Sequence, residues 1–132
     1  MKLDQLKLDE FTIAYIETAL WATNDNATEQ GGEPLDENYS VDDISPETIE
    51  RIKADCAKFQ LENAEDIATF VHPQYTGGEM AGGHFFLTRC GHGITFKDGD
   101  WPKGVEDRLY NAAKKFGNFD LYIGDDKKIY HL

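Results

Sequence analysis

Residues 9–23 carry apolar side chains around most of a helical circumference. Phe11, Ala14, Tyr15, Thr18, Ala19 and Ala22 fall on one face at three- and four-residue steps, while Ile13, Ile16 and Leu20 fall on another. Asp9 can cap the start, and Glu10 suits the positive end of the helix dipole. A helix apolar over so much of its surface has to be enclosed by other elements. The segment therefore predicts the central helix of a domain, and everything else must be arranged to cover it.

The rest of the chain supplies the cover. Ser45, Pro46 and Glu47 form a helix start, after which Ile49, Ile52, Cys56 and Phe59 recur at helical spacing. That pattern can continue through Ala64, Ile67 and Val71 to His72-Pro73, as one helix or as two pieces. The glycine-rich stretch 75–83 reads as a linker. Beyond it, Phe85, Leu87 and Arg89 alternate with Phe86 and Thr88, which predicts a strand, with Gly91-His92-Gly93 as a turn and 94–96 as the return strand. Residues 103–116 form a second amphipathic helix closed by Gly117, and 119–123 with 128–131 form a terminal hairpin around Gly124-Asp125-Asp126. With 132 residues there is room for one core, roughly two-thirds of the unfolded surface being buried at this size. The expectation is a single α+β domain over residues 1–132, an antiparallel sheet of about four strands with two to four helices packed on one face.

One region fits none of these patterns. From about 24 to 44 no period survives, and the segment reads as a long acidic loop. Its charge is the sharper feature. The whole chain has a formal net charge of -12, yet nine carboxylates and no lysine or arginine lie between Asn24 and Glu50, which leaves -3 for the other 105 residues. The acidity is local. It argues against nucleic acid or an anionic membrane as a direct partner, since both are bound through basic patches. It favours instead a protein partner with a basic surface, met through Asp25, Glu29, Glu33, Asp36, Glu37, Asp42 and Asp43, with Tyr39 as an aromatic anchor among them. One such basic surface is a nucleic-acid groove, which a carboxylate array can occupy by imitating phosphates.

Two other chemistries have part of their residue sets in the chain. Asp36, Asn38, Ser40, Asp42 and Glu47 match the first, third, fifth, seventh and twelfth places of a calcium loop, but Val41 stands at the sixth, where glycine is needed, and Pro46 occupies the eleventh. His84, Arg89, Cys90 and His92 cluster around the expected turn, with Asp98 and Asp100 nearby as orienting carboxylates. That set fits no zinc spacing, although His84, Arg89 and His92 remain the alternative site of a small enzyme or metal protein. No cofactor or metal is expected. The first residues contain no apolar signal region, no stretch approaches the ~18 apolar residues of a membrane span, and two cysteines suit free thiols. The expected location is cytoplasmic.

Several strings resemble a family of small uncharacterised proteins encoded by tailed bacteriophages. They are LDEFTIAYIETALW at 8–21, PLD at 34–36, YSVDDI at 39–44, CAKFQ at 56–60, FLTR at 86–89 with Gly91-His92-Gly93, and DLYIGDD at 120–126. Where that family has asparagine before the Gly-His-Gly turn this chain has Cys90, which argues against a shared nucleophile there. The resemblance implies a phage accessory protein that binds host or phage machinery, of counter-defence or host-takeover type, with a structural or virion-associated role as the other phage setting.

Overall fold

The computed structural model describes residues 8–25, 32–91 and 93–132, with the side chain of Asp25 left aside. Helix α1 spans Glu10–Ala22 and begins where Asp9 accepts a hydrogen bond from the Thr12 amide (2.8 Å). Strands β1 (Asn24–Asp25) and β2 (Glu33–Pro34) form a short antiparallel pair. Two 3-10 turns follow, Leu35–Glu37 and Val41–Asp43. Helices α2 (Pro46–Ile67), α3 (Gly77–Cys90) and α4 (Val105–Lys114) then lead to the antiparallel hairpin of β3 (Leu121–Ile123) and β4 (Ile129–His131). Among the described residues no helix is long and apolar enough to cross a membrane.

Helix α1 is central, as its apolar circumference requires. Phe11 and Tyr15 are fully buried against the rings of Phe59, Phe85, Phe86 and Phe119. Trp21, near the end of α1, is 59% exposed, while Trp101 is buried. The α+β class holds, but the four-stranded sheet does not form: the described strands make two separate pairs. The acidic stretch is not structureless either, since β1, β2 and both turns lie within it.

The main correction concerns residues 77–96. The supposed linker and strand are one helix, α3, capped at both ends. Thr76 and Glu79 exchange side-chain and backbone hydrogen bonds at its start, and Gly91 ends it with a left-handed φ of 76°. The alternation of Phe85, Leu87 and Arg89 with Phe86 and Thr88 misleads because all five are buried. A run that is apolar on both sides does not distinguish a strand from an enclosed helix. Residues 94–96 turn rather than return as a strand, the turn being closed by Asp98 accepting from the Thr95 amide (2.6 Å).

Glycines inside a helix each cost about 1 kcal/mol relative to alanine, so α3 needs a compensating reason for them. Gly82 provides it: a Cβ there would lie 2.1 Å from the Phe11 carbonyl oxygen. Only glycine lets α3 lie this close to α1. Helix α2, for its part, is irregular at Asn63 (φ -126°, ψ 20°), whose side-chain amide donates to the Phe59 carbonyl (2.9 Å). It stops at Ile67, short of Val71, which is exposed.

Substituting Gly82→Ala is expected to lower unfolding stability by about 2 kcal/mol or more, despite alanine's better helix propensity. Gly83→Ala meets the Thr18 hydroxyl at 3.0 Å, a side chain that can rotate, and should stay within about 1 kcal/mol of the parent. Urea denaturation checks both, and a neutral Gly82→Ala would contradict the close packing.

Candidate functional site

The described part of the acidic segment, from residue 32 onward, is tied to the core at several points. Leu35 and Ile44 are buried, and the Leu35 amide donates to the Thr23 carbonyl (2.8 Å). The Tyr39 amide donates to the Leu35 carbonyl (2.8 Å), so Tyr39 folds back and lies half-buried against the core. At the far end, the Ser45 amide donates to the Ile129 carbonyl (2.9 Å), and Ile44 makes a parallel bridge to Ile129. Ser45 also starts α2 by accepting from the Thr48 amide (3.2 Å), while its hydroxyl donates to Thr48 Oγ1 (2.8 Å). The Thr48 proton is then available to His131 Nδ1, 2.8 Å away on β4.

The acidic side chains divide on this frame. Asp43 is half-buried and accepts from the Ser40 amide (2.9 Å), closing a capping box. Glu33 accepts from the Asn38 side-chain amide (3.2 Å). Asp36, Glu37 and Asp42 are exposed, as are Glu47 and Glu50 in the first turn and a half of α2. Glu29 and the side chain of Asp25 lie outside the described residues. Ser40 and Asp43 satisfy the turn's own amides, which is not the converging arrangement of a calcium loop. Among the described residues, no group of three or more His, Cys, Asp or Glu side chains is placed to hold a metal ion.

Two depressions flank the Val41–Asp43 turn. The first, about 500 Å³, has Ile16, Leu20, Tyr39 and Val41 in its floor and walls. Glu17, Asp36 and Asp42 stand around it. The second, about 310 Å³, is formed by Val41, Ile44, Pro46 and Ile49, with Asp42, Glu50 and Lys128 beside it. Sequence reasoning located the carboxylates but missed Ile16, Glu17 and Leu20, because they come from α1 and are brought here only by the fold. Ile16 and Leu20 on the second apolar face of that helix were the available signal.

Of the alternative residues, the described Arg89 and His84 are each engaged by partners of their own. Arg89 is 1% exposed and fully engaged. Its guanidinium donates to Asp55 Oδ2 (3.0 Å), the Tyr15 hydroxyl (3.1 Å), and the carbonyls of Gly117 (2.9 Å) and Phe116 (3.2 Å). Phe85, Phe116 and Phe119 surround it with ring centres 5.0–5.6 Å away. It is a structural cation. His84 is buried elsewhere on α3, where Trp101 Nε1 donates to its Nδ1 (2.9 Å). An indole can only donate, so Nδ1 is the acceptor and a neutral ring carries its proton on Nε2, 3.7 Å from Asp100. Cys90 donates weakly to the Phe119 carbonyl (3.5 Å), and burial pushes its thiol up, the opposite of an activated nucleophile. Cys56 is a buried free thiol, also pushed up by burial. His92 lies outside the described residues.

Comparison with protein-family models, with curated proteins and with solved structures finds no match to this chain.

Burial holds the His84 imidazole below its ordinary 6.5, with Asp100 and Asp98 pulling weakly the other way. A depressed base means that the unfolded chain binds a proton first as pH falls. Stability from His84 is therefore full above 6.5 and is lost as pH drops from 6.5 toward the lower folded value. Urea midpoints measured across that window should fall, and His84→Asn, which retains an acceptor for Trp101, should flatten the slope. Equal slopes in the two proteins would contradict this assignment.

Proposed function

We propose that the protein acts by binding a protein partner through a basic surface on that partner, using the face built from Asp36, Glu37, Asp42, Glu47 and Glu50. The observation that carries the reading is the concentration of these exposed carboxylates, without a lysine or arginine between Asn24 and Glu50, on backbone pinned to the core. A mobile acidic tail would aid solubility without any fixed shape. A pinned array can instead present its charges in one arrangement and steer a basic partner onto it. The resemblance to tailed-phage proteins supports a host-takeover or counter-defence role in the host cytoplasm. In that role the face would block a surface that otherwise receives nucleic acid.

Neutralising Asp36→Asn, Glu37→Gln and Asp42→Asn together removes charge while leaving the Asp43 cap and the buried anchors in place. Partner capture from infected or host lysate is expected at low salt, to weaken as salt rises, and to be lost in the triple variant with its fold, read by circular dichroism, retained. Capture that ignores both salt and the substitutions would overturn the reading.

A further inference from the structure

The terminal hairpin has one edge in use and one open. The Leu132 amide donates to the Asp120 carbonyl (2.9 Å) and the Gly124 amide to the Lys128 carbonyl (2.8 Å), in register with the Tyr122–Tyr130 pair. In an antiparallel ladder such pairs alternate with residues whose N–H and C=O groups point away from the partner strand. The outward-pointing residues are therefore Leu121 and Ile123 on β3, and Ile129 and His131 on β4. The β4 edge is taken up, since the Ile129 carbonyl accepts from the Ser45 amide and Ile44 bridges to Ile129. Along β3, among the described residues, no strand pairs with the outer edge and no backbone group meets Leu121 or Ile123 from that side. A hollow of about 610 Å³ lies beside this strand, lined in part by Thr23 and Asn24 past the end of α1 and by Asp120, Leu121 and Tyr122.

We infer that β3 accepts an extended segment of a partner protein as an added antiparallel strand, with lysine or arginine opposite Asp120 and an aromatic side chain opposite Tyr122. The inference rests on the hairpin and is independent of the acidic-face reading. An added strand gives Leu121 and Ile123 backbone partners, and the antiparallel direction is the stabler one. Tyr122 is exposed and already stacks on Tyr130 across the ladder (ring centres 5.8 Å), so a ring on the new strand extends that row. Asp120 and Asp125 are exposed, and among the described residues neither is in an ion pair. The places opposite Asp120 and Tyr122 are two apart on the added strand and so share a face, which lets one short segment meet both. Charge also excludes a second copy of this chain as the occupant. Two β3 strands paired about Tyr122 would set Asp120 of each beside Gly124 and Asp125 of the other, between chains of net charge -12.

Alternate N-methylation of a probe peptide tests this. The parent probe is a blocked peptide centred on lysine-threonine-tyrosine-threonine-lysine, titrated into isotope-labelled protein and followed by NMR. In the inferred register the threonine amides face Leu121 and Ile123, while the lysine and tyrosine amides point away. Methylating both threonine amides is therefore expected to weaken binding at least about tenfold relative to methylating the tyrosine and one lysine amide, at equal charge and composition. The largest amide shifts should fall at Leu121 and Ile123, and Asp120→Asn should weaken the parent probe and reduce its salt dependence. Equal affinity of the two methylated peptides, or the reverse order, would overturn strand addition. So would shifts confined to other parts of the protein, or no binding of the parent probe at millimolar concentration. Unchanged affinity in folded Asp120→Asn would overturn the choice of a basic occupant.

Discussion

The guanidinium of Arg89 ties the molecule together. From the last turn of α3 it reaches Tyr15 on α1, Asp55 on α2 and the carbonyls of Phe116 and Gly117 after α4. Burying an isolated cation is prohibitive, so every one of these partners must be in place for the core to close. Asp55 is itself held from outside, accepting from Arg51 Nε (3.1 Å) on the same helix. Removing one partner of such a buried pair typically costs about 3–5 kcal/mol, chiefly by stranding the other charge. Specificity follows from that cost: other packings of the aromatic core would leave the cation unsatisfied.

The same network sets the acidic face. By fixing the carbonyls at 116 and 117, Arg89 defines where the chain leaves α4 and so where the β3–β4 hairpin lies. Phe119, against the guanidinium, also stacks on His131 (5.0 Å). From that hairpin, Ile129 and His131 grip Ile44, Ser45 and Thr48 at the far end of the acidic segment. Its near end is held through Leu35 on the Thr23 carbonyl, just past α1. Like charges are therefore kept close together by contacts that are mostly apolar and backbone in kind. Their mutual repulsion is one of the terms that the core's packing offsets.

Local signals were legible in the sequence, and long-range ones were not. Asp9 and Ser45 cap the helices that their neighbours predicted, and the terminal hairpin appears at 121–131, because caps and turns depend on a few adjacent residues. Helix α3 was not legible. Its glycines read as a linker until the Phe11 carbonyl beside Gly82 is known, and that atom is 71 positions away in sequence. Arg89 looked reactive for a similar reason. Its partner, Asp55, lies among Ile52, Cys56 and Phe59 on the buried side of α2, an acid on an apolar face that could have indicated a buried ion pair. Counting charges along the sequence marks the acidic segment, whereas the hollows beside it depend on the packing of α1, which no local pattern reveals.

The central claim is that the acidic segment is a fixed face and not a solvated loop. Amide hydrogen exchange at Leu35, Tyr39 and Ser45, followed by NMR in the unbound protein, tests it most directly. Each of these amides donates to a backbone carbonyl at 2.8–2.9 Å. The account predicts protection approaching that of the α1 and α3 core amides, since the segment should open only when the core opens. Exchange of all three at the rate of an unfolded chain would contradict it.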